Sequence, residues 1–117
     1  MTKLEILKQY FGHEKFRSGQ EDIIDNILSG KDVLGIMPTG AGKSVCYQVP
    51  AMLMDGITIV ISPLISLMKD QVRSLTESGI PSAYINSSLS YRQLREVFKR
   101  AAEMQYKIIS VSYTHLR

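Results

Sequence analysis

The chain has 117 residues, 44% apolar and 21% charged, with 14 basic and 11 acidic side chains for a net charge of +3. This is the composition of an ordinary globular protein of about one domain, mildly basic and so compatible with nucleic acid without arguing for it. No apolar run approaches the roughly 20 residues that span a bilayer. The single cysteine, Cys46, excludes an intrachain disulfide, and with no signal peptide at the N-terminus this fits a reducing cytoplasm.

Thr2 followed by Glu5 reads as a capping box, and Leu4, Leu7 and Phe11 continue at helical spacing until Gly12 ends the helix. A loop from His13 to Gly19 leads to a second helix over Gln20 to Leu28, with Ile23, Ile24, Ile27 and Leu28 facing inward. Ser29-Gly30 stops it. Asp32 to Ile36 reads as a strand. It feeds Met37-Pro-Thr-Gly-Ala-Gly-Lys-Ser44 and then a helical segment that opens Val45-Cys-Tyr-Gln48.

Strand, glycine-rich loop, Lys-Ser and helix together describe a phosphate-binding loop. Gly40 and Gly42 let successive backbone N–H groups curl towards one cavity, and the following helix adds the positive end of its dipole. Lys43 supplies a mobile charge for the β- and γ-phosphates, and the Ser44 hydroxyl is a Mg²⁺ ligand. The first glycine of the strict pattern falls at Met37, so the loop departs from that pattern at one position. Cys46 reads as a small buried helix residue rather than a reactive thiol.

After Asp55-Gly56, the run Ile57-Thr-Ile-Val-Ile61 reads as a parallel strand buried on both faces. Ser62-Pro63 opens a helix bearing Leu64, Leu67, Met68, Val72 and Leu75, which ends near Gly79. Ser82 to Ile85 is a short strand. Ser90 and Gln93 cap a helix whose buried stripe is Leu94, Val97, Phe98 and Ala101, and Lys107 to Val111 is a last strand. The basic run Arg92, Arg95, Lys99 and Arg100 is interleaved with Glu96 and Glu103, and reads as a solvated helix face. Alternating strands and helices make this an α/β chain with a parallel sheet flanked by helices, whose ligands bind at the carboxyl ends of the strands.

Three blocks carry a family resemblance: Phe11-Gly-His-Glu-Lys-Phe-Arg-Ser-Gly-Gln20, Met37-Pro-Thr-Gly-Ala-Gly-Lys-Ser44, and Ile61-Ser-Pro-Leu-Ile-Ser-Leu-Met-Lys-Asp-Gln71. In this order and spacing the chain resembles the first RecA-like motor lobe of the RecQ-type DNA helicases of superfamily 2, over Leu4 to about Ile109. The resemblance implies a partial RecA-like P-loop NTPase lobe that binds ATP and Mg²⁺. Its whole protein would unwind DNA in the 3′ to 5′ direction and act in repair and recombination.

In that family the first block reads adenine. The Gln20 amide both donates to and accepts from the base edge, Arg17 stacks or meets phosphate, and His13 stands where the family often has a stacking aromatic. Phe16 reads as a core anchor. Thr39, Gly40, Ala41, Gly42, Lys43 and Ser44 would cradle the phosphates, with Lys43 the residue that serves catalysis. The third block implies single-stranded DNA contacts at Ser62, Pro63 and Leu64, with Lys69 further along the helix. Asn86 and Ser87 resemble a further DNA-backbone contact; such residues are also ordinary turn formers.

The chain departs from the family pattern in two ways. No Asp-Glu-x-His box occurs in it, and no second lobe with an arginine finger follows, so the fragment alone is expected at best to bind nucleotide weakly, to be inactive and not to unwind DNA. Second, residues 110–117, Ser110-Val-Ser-Tyr-Thr-His-Leu-Arg117, do not follow the family pattern after Ile109 and read as a junction-derived tail. His115 is therefore read neither as a base nor as a metal ligand. A small-molecule P-loop phosphotransferase and a nucleotide-binding module without hydrolysis are the competing readings.

Overall fold

The structure, a computed structural model, describes residues 1–35, 43–62 and 65–112; for residue 62 and residues 65–67 it describes the backbone alone. The chain divides into two compact units, Met1–Asp55 and Gly56–Arg117. Among the described residues no helix is long and apolar enough to cross a membrane.

The first unit holds three helices: α1 (Lys3–Phe11), α2 (Gln20–Leu28) and α3 (Val45–Leu53). The capping box expected at α1 is present. The Glu5 N–H donates to the Thr2 hydroxyl and the Thr2 N–H donates to the Glu5 carboxylate, both at 3.2 Å. Gly12 ends the helix at φ +71°, a left-handed conformation that an L side chain resists. Lys3 reaches from α1 to two carboxylates of α2, Glu21 at 2.8 Å and Asp25 at 2.6 Å. These two bonds, Asp25 first, hold its ammonium above the ordinary lysine range.

The apolar faces of the helices meet in one cluster, Ile6 and Leu7 from α1, Ile24 from α2, and Val45 and Val49 from α3. Phe16 packs against it, as expected for an anchor. Pro50 is buried within α3, where it removes the amide that would bond the Cys46 carbonyl.

Two expectations for this unit need correcting. Leu28 closes α2 and stays 37% exposed rather than facing inward. Residues 31–35 form no strand, and Leu34 is 89% exposed. A strand exists only through its ladder, and this stretch has no ladder partner among the described residues.

The second unit is built from β1 (Thr58–Ser62), α4 (Ile65–Glu77), β2 (Ser82–Ile85), α5 (Tyr91–Ala102) and β3 (Ile108–Ser112). The strands form a parallel sheet in the order β1-β3-β2, so the last strand in sequence lies in the middle. All five residues of β3 are buried, as a central parallel strand requires. Helix α5 lays Leu94, Val97 and Ala101 over Ile85, Ile109 and Val111, and α4 packs on β2 and β3.

Strand β1 departs from the expected burial. Its register places Ile59 beside Ile109 and Ile61 beside Val111, on the face that α5 covers. Because α5 packs over β2 and β3, Ile59 and Ile61 remain 63% and 59% exposed. Phe98, expected in the buried stripe of α5, is 55% exposed.

Candidate functional site

In the first unit the candidate nucleotide residues fall into two local groups. Gly19, at φ +86°, turns the chain into α2 and sets Gln20 at its first position. There Gln20 is buried, and its Oε1 accepts the Arg17 N–H at 2.8 Å while its own N–H donates to the Arg17 carbonyl at 3.1 Å. Arg17 and Gln20 are thus one closed turn, with Arg17 and His13 exposed outside it.

The second group is Lys43 and Ser44. The Lys43 carbonyl accepts from the Cys46 N–H at 3.1 Å, and the Ser44 carbonyl accepts from Gln48 at 2.9 Å, so α3 starts at the Lys-Ser pair itself. Ser44 holds the N-cap position but makes no side-chain bond to the helix backbone, so its hydroxyl is not consumed by capping. The Tyr47 hydroxyl reaches the Ser44 and Gln48 side chains, and burial pushes its pKa up against their opposing effect. Thr39, Gly40, Ala41 and Gly42 lie outside the described residues.

Lys43 is exposed and lines a depression of about 430 Å³, together with Ile23 and Ile27 of α2, Lys31, Asp32 and Tyr47. Gly35 forms part of its wall. A Cβ there would stand 2.9 Å from Ile23 Cδ1, so the backbone approaches α2 as closely as a glycine allows. His13, Arg17 and Gln20 do not line this depression. Lys31, Asp32 and Tyr47 were not singled out in sequence; they follow no motif, and only their nearness to the glycine-rich loop along the chain could have pointed to them. Cys46 is buried, and burial raises its thiol pKa, as befits an inert helix residue.

In the second unit the candidate DNA residues gather at the carboxyl ends of the strands. Ser62 ends β1 level with Ser112 of β3, and Asn86-Ser87 follows Ile85, which is level with Val111. Parallel sheets present their ligand sites at this end. Ser87 is exposed there. Asn86 is only 3% exposed, and its Oδ1 accepts both the Ser88 N–H, at 2.8 Å, and the Ser88 hydroxyl, so its side chain also holds the turn. Lys69 is exposed on α4, while Pro63 and Leu64 lie outside the described residues. Ser112, level with Ser62, fell within the tail set aside in sequence, so nothing in the motif reading could have marked it.

A start-of-helix Lys-Ser pair, an exposed cation and an adjoining depression suit a polyphosphate. The chain is also similar to known proteins. The model of the DEAD/DEAH box helicase family matches residues 17–116. The chain is 50% identical over 111 residues to the ATP-dependent DNA helicase RecQ of Haemophilus influenzae, covering 95% of this chain and 18% of that protein. It is 51% identical over 108 residues to the ATP-dependent DNA helicase RecQ of Bacillus subtilis, covering 92% of this chain and 18% of that one. The ATP-dependent helicase wrn-1 of Caenorhabditis elegans is 49% identical over 83 residues, 71% of this chain and 8% of its own length. The chain therefore spans less than a fifth of the length of these relatives.

Proposed function

The chain belongs to the DEAD/DEAH box helicase family, and from that premise we propose that it is the nucleotide-binding N-terminal part of a RecQ-type ATP-dependent DNA helicase. The observation that supports the reading best is Lys43, exposed where α3 begins and lining a depression with Ile23, Ile27, Lys31, Asp32 and Tyr47. Its ammonium neutralises phosphate charge, and the N-terminal end of α3 adds the positive end of its dipole to the same anion. Arg17 and Gln20, with His13, serve the adenine.

The Ser44 hydroxyl is a hard oxygen donor, free of a capping bond to the helix backbone, and it suits Mg²⁺, which keeps most of its shell as water and nucleotide phosphate. When bound, that ion neutralises charge building on the transferred phosphoryl group. DNA is assigned to the strand-end surface that carries Ser62, Asn86 and Ser87, with Pro63, Leu64 and Lys69 in the segment that follows Ser62. Repair and recombination are the cellular setting this reading assigns to the whole protein. Residues 1–117 contain no Asp-Glu-x-His sequence, and this reading assigns them at most weak nucleotide binding without DNA unwinding.

Titration of the 117-residue chain with a fluorescent ATP analogue and Mg²⁺ tests the nucleotide site. Hydrogen bonds to charged groups are worth about 1.5–3 kcal/mol, so Lys43→Ala is expected to weaken binding by roughly ten-fold or more. Equal affinity in the two proteins would remove Lys43 from the site.

A further inference from the structure

We propose that the outer face of α5 is a second contact for single-stranded nucleic acid, built from Arg92, Arg95 and Lys99 with Tyr91 as a stacking platform. This goes beyond the helicase reading, whose nucleotide and DNA candidates lie in other segments.

Charge makes the first part of the case. Helix α5 carries four basic side chains against one acidic, a net +3, which equals the net charge of the entire chain. All the other residues together sum to zero. Of the interleaved acids, Glu96 pairs with Arg100 inside the run and so leaves Arg92, Arg95 and Lys99, while Glu103 lies past the helix at its C-cap. Glu96 accepts from Arg100 Nε at 2.9 Å, and Glu103 accepts from Gln105 at 2.8 Å. Arg92 and Lys99 form no ion pair among the described residues.

Placement and chemistry make the second. The three cations recur at helical spacing, opposite the Leu94, Val97 and Ala101 stripe that packs on the sheet. From Arg92 to Lys99 they span roughly 10 Å of helix axis, a reach that fits more than one phosphate of an extended strand. They line a shallow surface depression with Tyr91 and Glu96. Tyr91 is 77% exposed, and the Arg95 guanidinium sits over its ring at 5.8 Å from the centroid, within cation–π range. Phosphate-spaced cations beside an exposed aromatic are the means by which proteins grip single strands without reading their sequence. An acidic peptide would use the cations and leave the ring idle.

The test is binding of the 117-residue chain to a fluorescent oligothymidylate across a salt series. Wild type is compared with R92Q/R95Q/K99Q, with Tyr91→Ala and with Tyr91→Phe. These positions are exposed, so all variants should keep the wild-type circular dichroism and the Lys43-dependent nucleotide binding. Each lost phosphate contact removes about 0.7 from the log–log salt slope on single strands, so the triple variant should lose about two units of slope and roughly ten-fold or more in affinity. Tyr91→Ala should weaken binding by about five-fold or more, and Tyr91→Phe should restore it. Unchanged affinity and slope in the triple variant overturn the proposal. So does a polyglutamate peptide that binds as well as the oligonucleotide with no response to Tyr91→Ala. Loss of Lys43-dependent nucleotide binding in wild type would instead sink the helicase reading and leave the α5 result standing.

Discussion

Ile24 is fully buried between the helices of the first unit, and Lys43 is exposed at the start of α3, so truncation acts on them differently. Ile24→Ala deletes buried methylenes and leaves a cavity that close-packed neighbours fill only in part. A cost of about 2–5 kcal/mol is expected, large against the roughly 5–15 kcal/mol that holds a domain together. Guanidinium unfolding followed by circular dichroism reads it directly, and a loss below about 1 kcal/mol would show that the site collapses or is not core. Lys43→Ala, by contrast, should leave the unfolding midpoint in place. Residue identity was the most legible level in sequence where a motif fixed it, as at Lys43-Ser44. It was least legible for polar side chains. Gln20 and Asn86 read as ligand groups, and both are buried with an oxygen bonded within their own turn, local contacts that the motif reading did not draw on.

The helices were legible because their signals are local. The Thr2–Glu5 and Ser90–Gln93 boxes each close within one turn, so spacing alone locates the ends of α1 and α5. The α1 box also titrates. Hydrogen bonds with Thr2, the backbone one foremost, lower the Glu5 pKa below its ordinary value. A carboxylate lowered in the folded state stabilises fully above its unfolded pKa, and that contribution is lost as pH falls through the folded value. Thermal melts from neutral pH into the acid range should therefore show wild type losing stability relative to Glu5→Gln, which keeps a capping amide and does not titrate. Parallel curves across that range would contradict a charged cap. Strands were less legible, since pairing partners are distant in sequence. Residues 31–35 have strand-like composition and no ladder, and Ile59, Ile61 and Phe98 are apolar without a neighbour to cover them among the described residues.

At the scale of the whole molecule, the α/β class and the parallel sheet followed from alternation of element types. The order β1-β3-β2 did not, because the place of β3 between its predecessors is decided by burial of its five residues on both faces. The basic run of α5 was legible too, but not that its cations Arg92, Arg95 and Lys99 share a depression with the exposed Tyr91. The family itself was legible, since three ordered blocks persist where composition says little, and the match over residues 17–116 agrees. The role proposed for these residues is the ATP site of a DNA-driven motor. It is tested most directly by measuring ATP hydrolysis by the intact product of the source gene, with and without single-stranded DNA, in wild type and Lys43→Ala. Turnover that rises with DNA in wild type and is lost in the variant is the predicted result; a wild-type protein that binds ATP and shows no DNA-stimulated turnover would contradict it.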